Sequence, residues 1–406
     1  MGLVVMKFGG SSLSDSTKIK RVAGIIVLKK KEGNKIVAVV SAPGDMTDDL
    51  IKMAHSISQS PPPREMDMLL ATGEMVSISL LSMAIRNIGE SVISMTGAQA
   101  GIFVSNNHMY AKIKNINPQK INDKLVENNI VIIAGFQGIN PIGDIATLGR
   151  GGSDLTAVAL SASLKSDLCE IYSDVDGVYT ADPRIVINAK KIDYISYNEM
   201  LEMSGSGSQV LQLRSVEVAK KYNVNIHSRG TFSKNDGTII TSDKKIKEKG
   251  MESFLLSGIS LDKNQAKFTI SVLNASDAII ADIFNRFSKI NVNIDMFNRF
   301  IFDKNNIIYF IVNRCDVEKI QKEFKKTQSD YNVSIFCNEH VAKVSIVGIG
   351  VKNHFIIAKI LEILHKNNIS IDMISMSEIK ISCILDEFCA LNAVEKLHNG
   401  LEFSKK

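Results

Sequence analysis

Short, β-branched apolar runs recur through the first 240 residues, at positions 3–8, 36–41, 92–96, 130–134 and 168–173, with helical patterns between them. Runs of this length predict buried strands, and their alternation with amphipathic stretches predicts an α/β sheet sandwiched by helices. Pro61-Pro62-Pro63 closes a loop. Residues 65–86 then read as one long helix, with Met66, Leu69, Leu70, Leu80, Leu81 and Met83 as apolar positions and its methionines as core filling. The polar, lysine-rich stretch 241–250 reads as a linker.

Past that stretch the pattern changes to an internal repeat spaced by 77 residues. Ile279-Ile280-Ala281 recurs as Ile356-Ile357-Ala358, and Asn293-Ile294-Asp295-Met296 as Ser370-Ile371-Asp372-Met373. At a spacing of 76, the strand Ala266-Lys267-Phe268 matches Ala342-Lys343-Val344. Each unit reads strand, helix, strand, strand, helix, strand, a ferredoxin-like order in which an antiparallel sheet buries one face beneath two helices. The expected division is 1–245 and 246–406, with repeat units at about 264–338 and 341–406. Such a pair is either structural padding or a small-molecule sensor.

Composition narrows the class. At 406 residues the chain can hold two or three domains, and a net charge of +5 is too small for a polyanion binder. Five cysteines without a Cys-x-x-Cys pair suit buried thiols in a reducing compartment. Neither a leader pattern nor an apolar run of membrane-span length is evident, so the expectation is a cytoplasmic protein free of nucleic acid and membrane.

Two glycine-rich turns carry candidate chemistry. In Thr147-Leu148-Gly149-Arg150-Gly151-Gly152-Ser153-Asp154, glycines let backbone N–H groups approach a ligand, and Ser153 can cap a helix beginning at Leu155. The helix's positive end favours an anion, and Arg150 adds a forked donor for a carboxylate. Lys7-Phe8-Gly9-Gly10-Ser11-Ser12 follows the first strand, the order in which an anion nest forms with Lys7 as its point charge. Each segment alone is equally a plain turn, with a capped helix in one case and a solvated lysine in the other. No Walker A run, His-Glu-x-x-His or Gly-x-Ser-x-Gly occurs. Gly205-Ser206-Gly207 lacks the third glycine of a dinucleotide fingerprint and reads as a mobile loop. Asp174-x-Asp176-Gly177 lacks the rest of an EF-hand and reads as a turn.

Taken together, residues 7–12, Gly97 to Gln99, 134–138, 149–154 and 172–184 resemble the aspartokinase family, and the C-terminal repeat is similar to its tandem ACT domains. The resemblance implies an amino-acid-kinase fold and transfer of the ATP γ-phosphoryl group to the β-carboxylate of L-aspartate. It implies that Lys7, Phe8, Gly9 and Gly10 hold the phosphoryl group, with Ser41 beside the phosphates and Asp154 orienting the donors. Arg150 and Glu74 would take the carboxylate and ammonium of aspartate, with Thr47, Gly151, Gly152 and Ser153 adding contacts. Ser173, Asp174, Tyr179, Thr180, Ala181, Asp182, Pro183 and Arg184 would cover the nucleoside. Magnesium would arrive with ATP, without a dedicated protein metal site.

Gln209 stands where the family usually has a lysine on the ATP phosphates, and a neutral amide cannot neutralise that charge. The loops 274–278 and 352–356 lack the Pro-Gly usual in effector-binding ACT domains, which leaves lysine or threonine binding open. The competing reading is a catalytically weak amino-acid-sensing subunit; acetylglutamate and nucleoside monophosphate are the competing acceptors. Exposed ACT sheet edges imply a homo-oligomer.

Overall fold

The computed structural model describes residues 2–208, 210–248, 256–273, 277–290, 292–302, 305–328, 333–401 and 403. Gln209, residues 274–276 of the first ACT loop and Asn291 lie outside the described residues. The chain divides into two compact units. Met1–Tyr179, Lys191–Ser204 and Gln209–Glu252 form the first, and Thr180–Lys190, Gly205–Ser208 and Ser253–Lys406 the second.

The first unit is built on an eight-stranded sheet. Its order is Tyr194–Ser196, Thr238–Thr241, Ile226–Gly230, Leu168–Ser173, Leu3–Phe8, Lys35–Val40, Ile130–Ala134 and Val92–Met95. The pairing of Thr238–Thr241 with Ile226–Gly230 is antiparallel, and the other neighbours run parallel. Parallel strands covered on both faces need apolar residues at successive positions, which is why residues 130–134 are buried without alternation. Side chains still alternate between the faces. Val4, Met6 and Phe8 join a core with Val22, Ile26, Ile78, Leu81 and Ile85 from the helices Ser16–Lys31 and Pro63–Asn87. Lys7 meets the helix Gly152–Leu164.

Three expectations change here. Pro63–Asn87 has 25 residues and is, by length and composition, apolar enough to cross a membrane, contrary to the sequence reading. It serves instead as a core helix, burying Met66, Leu70, Ala71, Ile78, Leu81 and Ile85 and leaving Leu80 and Met83 exposed. The stretch read as a linker contains the end of a strand and the helix Asp243–Glu248. The loop read as mobile is packed: Ser206 is buried, and a Cβ on Gly207 would lie 2.5 Å from the Leu261 carbonyl oxygen.

The second unit holds a six-stranded antiparallel sheet in the order Ile294–Phe302, Asn305–Asn313, Gly258–Leu273, Val333–Val347, Lys380–Asp386 and Met373–Met376. Two long central strands serve both repeats. Residues 265–273 pair with the first repeat's strand 305–313, while 258–262 pair with 343–347 of the second. The second repeat thus takes its outer strand from residues 258–262, not from a segment after Ala390–Gly400, as the simple repeat pattern expects. Repeat-related residues also exchange partners: Lys267 pairs with Asp372 at 2.5 Å and Lys343 with Asp295 at 2.8 Å. Two separate cores result, one around Phe268, Phe287, Phe310 and Phe324 and one around Ile346, Ile360, Leu364 and Leu397. Among the cysteines Cys169 and Cys383 are buried as expected, but Cys315 is exposed.

Candidate functional site

Strand register fixes where the site lies. Phe8 stands opposite both Val40 and Tyr172, and Val40 opposite Ala134. The turns beginning at Gly9, Ser41, Gly135 and Ser173 therefore all leave the carboxyl edge of one parallel sheet, where open α/β sheets bind ligands. Backbone contacts hold the edge together. Gly9 N–H donates to Tyr172 O at 3.2 Å, and Ser41 N–H to Phe8 O at 3.1 Å. A Cβ on Gly10 would lie 2.7 Å from Ala42 O, so this close approach requires glycine.

Lys7 and Asp154 meet at this edge. Lys7 Nζ lies 2.5 Å from Asp154 Oδ1, and each residue is only 8 % exposed. The contact is a close charge pair, since Asp154 Oδ1 has no aligned hydrogen bond among the described residues. A cation held this way keeps a fixed position.

Glu74 comes from the middle of the Pro63–Asn87 helix and is 3 % exposed. Its Oε1 accepts from Ala42 N–H at 3.0 Å, while the buried Oε2 has no partner among the described residues. Burial pushes its carboxyl up to about 8, against the smaller lowering effect of the Ala42 N–H. A buried carboxylate oxygen without a donor is suited to a cationic ligand group.

The turn at residues 148–151 differs locally from the sequence expectation. The helix starts at Gly152 rather than Leu155, and its N-cap is Gly151 in the left-handed region at φ 72°, without side-chain capping by Ser153. Ser153 and Asp154 are buried in the first helical turn, where acid is favourable to the helix dipole. A Cβ on Gly151 would lie 1.9 Å from Gln212 Cγ. Gly151→Ala is thus expected to cost about 1–3 kcal/mol from the left-handed backbone and the displaced glutamine, read by urea unfolding. Arg150 is exposed, and no ion pair holds it among the described residues. Thr47 is half-buried in the first turn of the helix Met46–Ile57, whose N-cap is Asp45.

Two residues that fix this turn escaped the sequence reading. Asp67, fully buried, accepts from Thr147 Oγ1 at 2.5 Å and Met109 N–H at 3.1 Å, and pairs with His108 Nδ1 at 2.6 Å. Arg214 donates to Leu148 O at 2.6 Å and Ala111 O at 3.1 Å. The signal for Asp67 was present as an acid between Met66 and Met68 on an apolar helix; Arg214 had none, because its partners are backbone carbonyls far off in sequence. Asp67→Ala would strand the buried Thr147 hydroxyl and two half-buried partners, His108 and Met109 N–H, at a cost of roughly 3 kcal/mol. A urea midpoint within error of the parent would refute that role.

The residues proposed for the nucleoside divide between the two units. Ser173, Asp174 and Tyr179 belong to the first, and Thr180, Ala181, Asp182, Pro183 and Arg184 to the second. Thr180 is fully buried, its N–H donating to Lys190 O, its carbonyl accepting from Ile259 N–H and its hydroxyl bonded to His398 Nε2 and Lys190 N–H. Ala181 sits in the second unit's core. Both side chains are packed inside the second unit, which the sequence reading did not anticipate. Asp182 grips Arg184 at 2.7 Å, and that guanidinium holds its carboxyl below the usual range. Asp176 accepts from Asn235 Nδ2 at 2.7 Å, consistent with a turn.

Comparison with known proteins agrees with this architecture. Residues 2–227 match the amino acid kinase family model, and residues 344–401 an ACT domain model. The chain is 44% identical to an aspartokinase of Mycolicibacterium smegmatis over 406 residues, covering 98% of this chain and 96% of the relative. Among solved structures it resembles Escherichia coli aspartokinase III in complex with aspartate and ADP, with a TM-score of 0.84 and 21% identity, covering 98% of this chain and 99% of that one. The same protein in complex with lysine and aspartate gives a TM-score of 0.74, again at 21% identity, with 98% and 99% coverage. At 21% identity these two likenesses concern the fold alone, whereas the full-length 44% identity reaches the family. Kinase fold, duplicated C-terminal module and full-length relative converge, and the chain belongs to the aspartokinases, enzymes of the amino acid kinase family.

Proposed function

We propose that this enzyme transfers the γ-phosphoryl group of ATP to the β-carboxylate of L-aspartate, giving 4-phospho-L-aspartate and opening the route to lysine, threonine, methionine and diaminopimelate. The observation that carries this reading is the edge where the fixed Lys7–Asp154 pair stands beside a glycine turn, with the buried Glu74 Oε2 lacking a partner among the described residues. Phosphoryl transfer to a carboxylate needs no general base, because the acceptor is already ionised at neutral pH. It needs charge neutralisation and in-line positioning. Lys7 supplies a preorganised cation for the charge that builds on the transferring group, and the Gly10 N–H lines the same turn. Asp154 orients Lys7. Glu74 takes the ammonium of aspartate and Arg150 its carboxylate.

ATP is the donor, its nucleoside on Ser173, Asp174, Tyr179, Asp182 and Arg184, with magnesium arriving on its phosphates. The ACT pair is assigned an amino-acid effector, lysine or threonine, and the chain a cytoplasmic homo-oligomer; the lysine complex of the E. coli enzyme supports the effector. Calorimetry with lysine and threonine tests that part. Coupled ADP release with aspartate, acetylglutamate and UMP tests the reaction: turnover is expected with aspartate alone. Aspartate turnover no faster than that of Lys7→Ala would instead support a catalytically weak sensing subunit.

A further inference from the structure

The second unit contains a cavity of about 240 Å³ between the excursion Thr180–Lys190 and the end of the C-terminal helix Ala390–Gly400. Thr180, Asn188, Lys190, His398, Asn399 and Phe403 are among the residues that line it. No carboxylate belongs to that described lining, which offers one ammonium, one imidazole, a hydroxyl and two amides. We propose that this cavity is a binding site for a small oxyanion, a carboxylate or a phosphate, held by Lys190 beside His398.

Geometry supports the assignment in three ways. The floor is built rather than accidental: His398 is 8 % exposed, stacks on Phe403 at 5.0 Å and 6°, and bonds through Nε2 to the fully buried Thr180 hydroxyl at 2.9 Å. Its Nδ1 has no well-aligned hydrogen bond among the described residues, and the Asn399 side chain is the group that interacts with the ring there. Lys190 and His398 both line the cavity, so two groups able to carry positive charge share one small space. Burial first, and Lys190 in addition, hold His398 below its ordinary value, with Asn399 opposing them. An anion would relieve that repulsion and favour the protonated ring. The volume suits a small metabolite rather than a nucleotide.

Connectivity gives the site a consequence. The excursion leaves the first unit at Tyr179 and returns at Lys191, two residues joined by a β-bridge. An occupant would tie both ends of this segment to the C-terminal helix. Because the segment also carries Asp182 and Arg184, occupancy would act on two residues given to the nucleotide; that consequence rests on the proposed function, whereas anion binding does not.

The test follows the His398 ring by NMR in the full-length protein at constant pH and ionic strength, with the resonance assigned through His398→Gln. Sodium phosphate and sodium acetate are titrated separately. A saturable downfield shift of the His398 ring proton is expected, with affinity at least tenfold weaker in Lys190→Met. Response to phosphate alone identifies a phosphate-type occupant, and response to acetate a carboxylate; either supports the site. A resonance that stays still in both titrations overturns the proposal, as does an identical shift in Lys190→Met. Because the readout does not depend on turnover, failure here is distinguishable from failure of the proposed reaction.

Discussion

Lys7→Ala should lower kcat for aspartate-dependent ADP release by roughly 10³-fold, about 4 kcal/mol of transition-state stabilisation. The magnitude follows from removing a buried, preorganised cation where negative charge builds during transfer. Two effects must be separated. Without its partner, Asp154 becomes an unpaired buried carboxylate, which costs about 3–5 kcal/mol of stability. Adding Asp154→Asn to Lys7→Ala removes that charge, so the double variant should recover much of the stability and none of the rate. Urea unfolding and turnover together read the two effects. If Lys7→Ala retained more than a tenth of the parent's kcat, Lys7 would have a structural role only.

Glu74→Gln should raise the KM for aspartate about 10- to 100-fold, the value of a charge-assisted hydrogen bond replaced by a neutral one. Its pH signature is more specific than its size. With the carboxyl raised to about 8 by burial, the free enzyme at pH 7 holds Glu74 mostly protonated, and binding an ammonium requires that proton to leave. The KM for aspartate should therefore fall as pH rises from 6 towards 8, by up to tenfold per unit, then level off. Glu74→Gln should abolish this slope. The stability of the unliganded protein has the related sign. A folded pKa above the ordinary glutamate value of 4.5 contributes stability that is present below about 4.5 and is lost as pH rises through about 8. The variant should be flatter across that window. A parent KM independent of pH between 6 and 8 would argue against Glu74 as the ammonium partner.

Both variants act on residues visible in the sequence, yet not as a pair. Lys7 and Gly9-Gly10 were legible because strand, glycine turn and lysine are contiguous, and a contiguous motif survives without knowledge of the fold. Glu74 was different. In Thr72-Gly73-Glu74 it was one helix carboxylate among several, and only the family resemblance raised it. Its burial and its bond to Ala42 N–H follow from packing the helix against the second strand's turn. Asp67 and Arg214, which hold the turn before Arg150, were not found, since hydrogen bonds across 80 and 66 positions leave no local pattern.

By itself the sequence determined the five parallel strands, the order of the catalytic and repeated halves, the two glycine turns and, through resemblance, the family. Those properties depend on local periodicity and short motifs, which the chain carries whatever its final packing. Tertiary structure alone decided the Lys7–Asp154 contact, the raised Glu74 carboxyl, the withdrawal of Thr180 and Ala181 from solvent and the sharing of strand Gly258–Leu273 between both repeats. Burial, register and electrostatic environment are set by segments distant in sequence, and no single segment encodes its own neighbours.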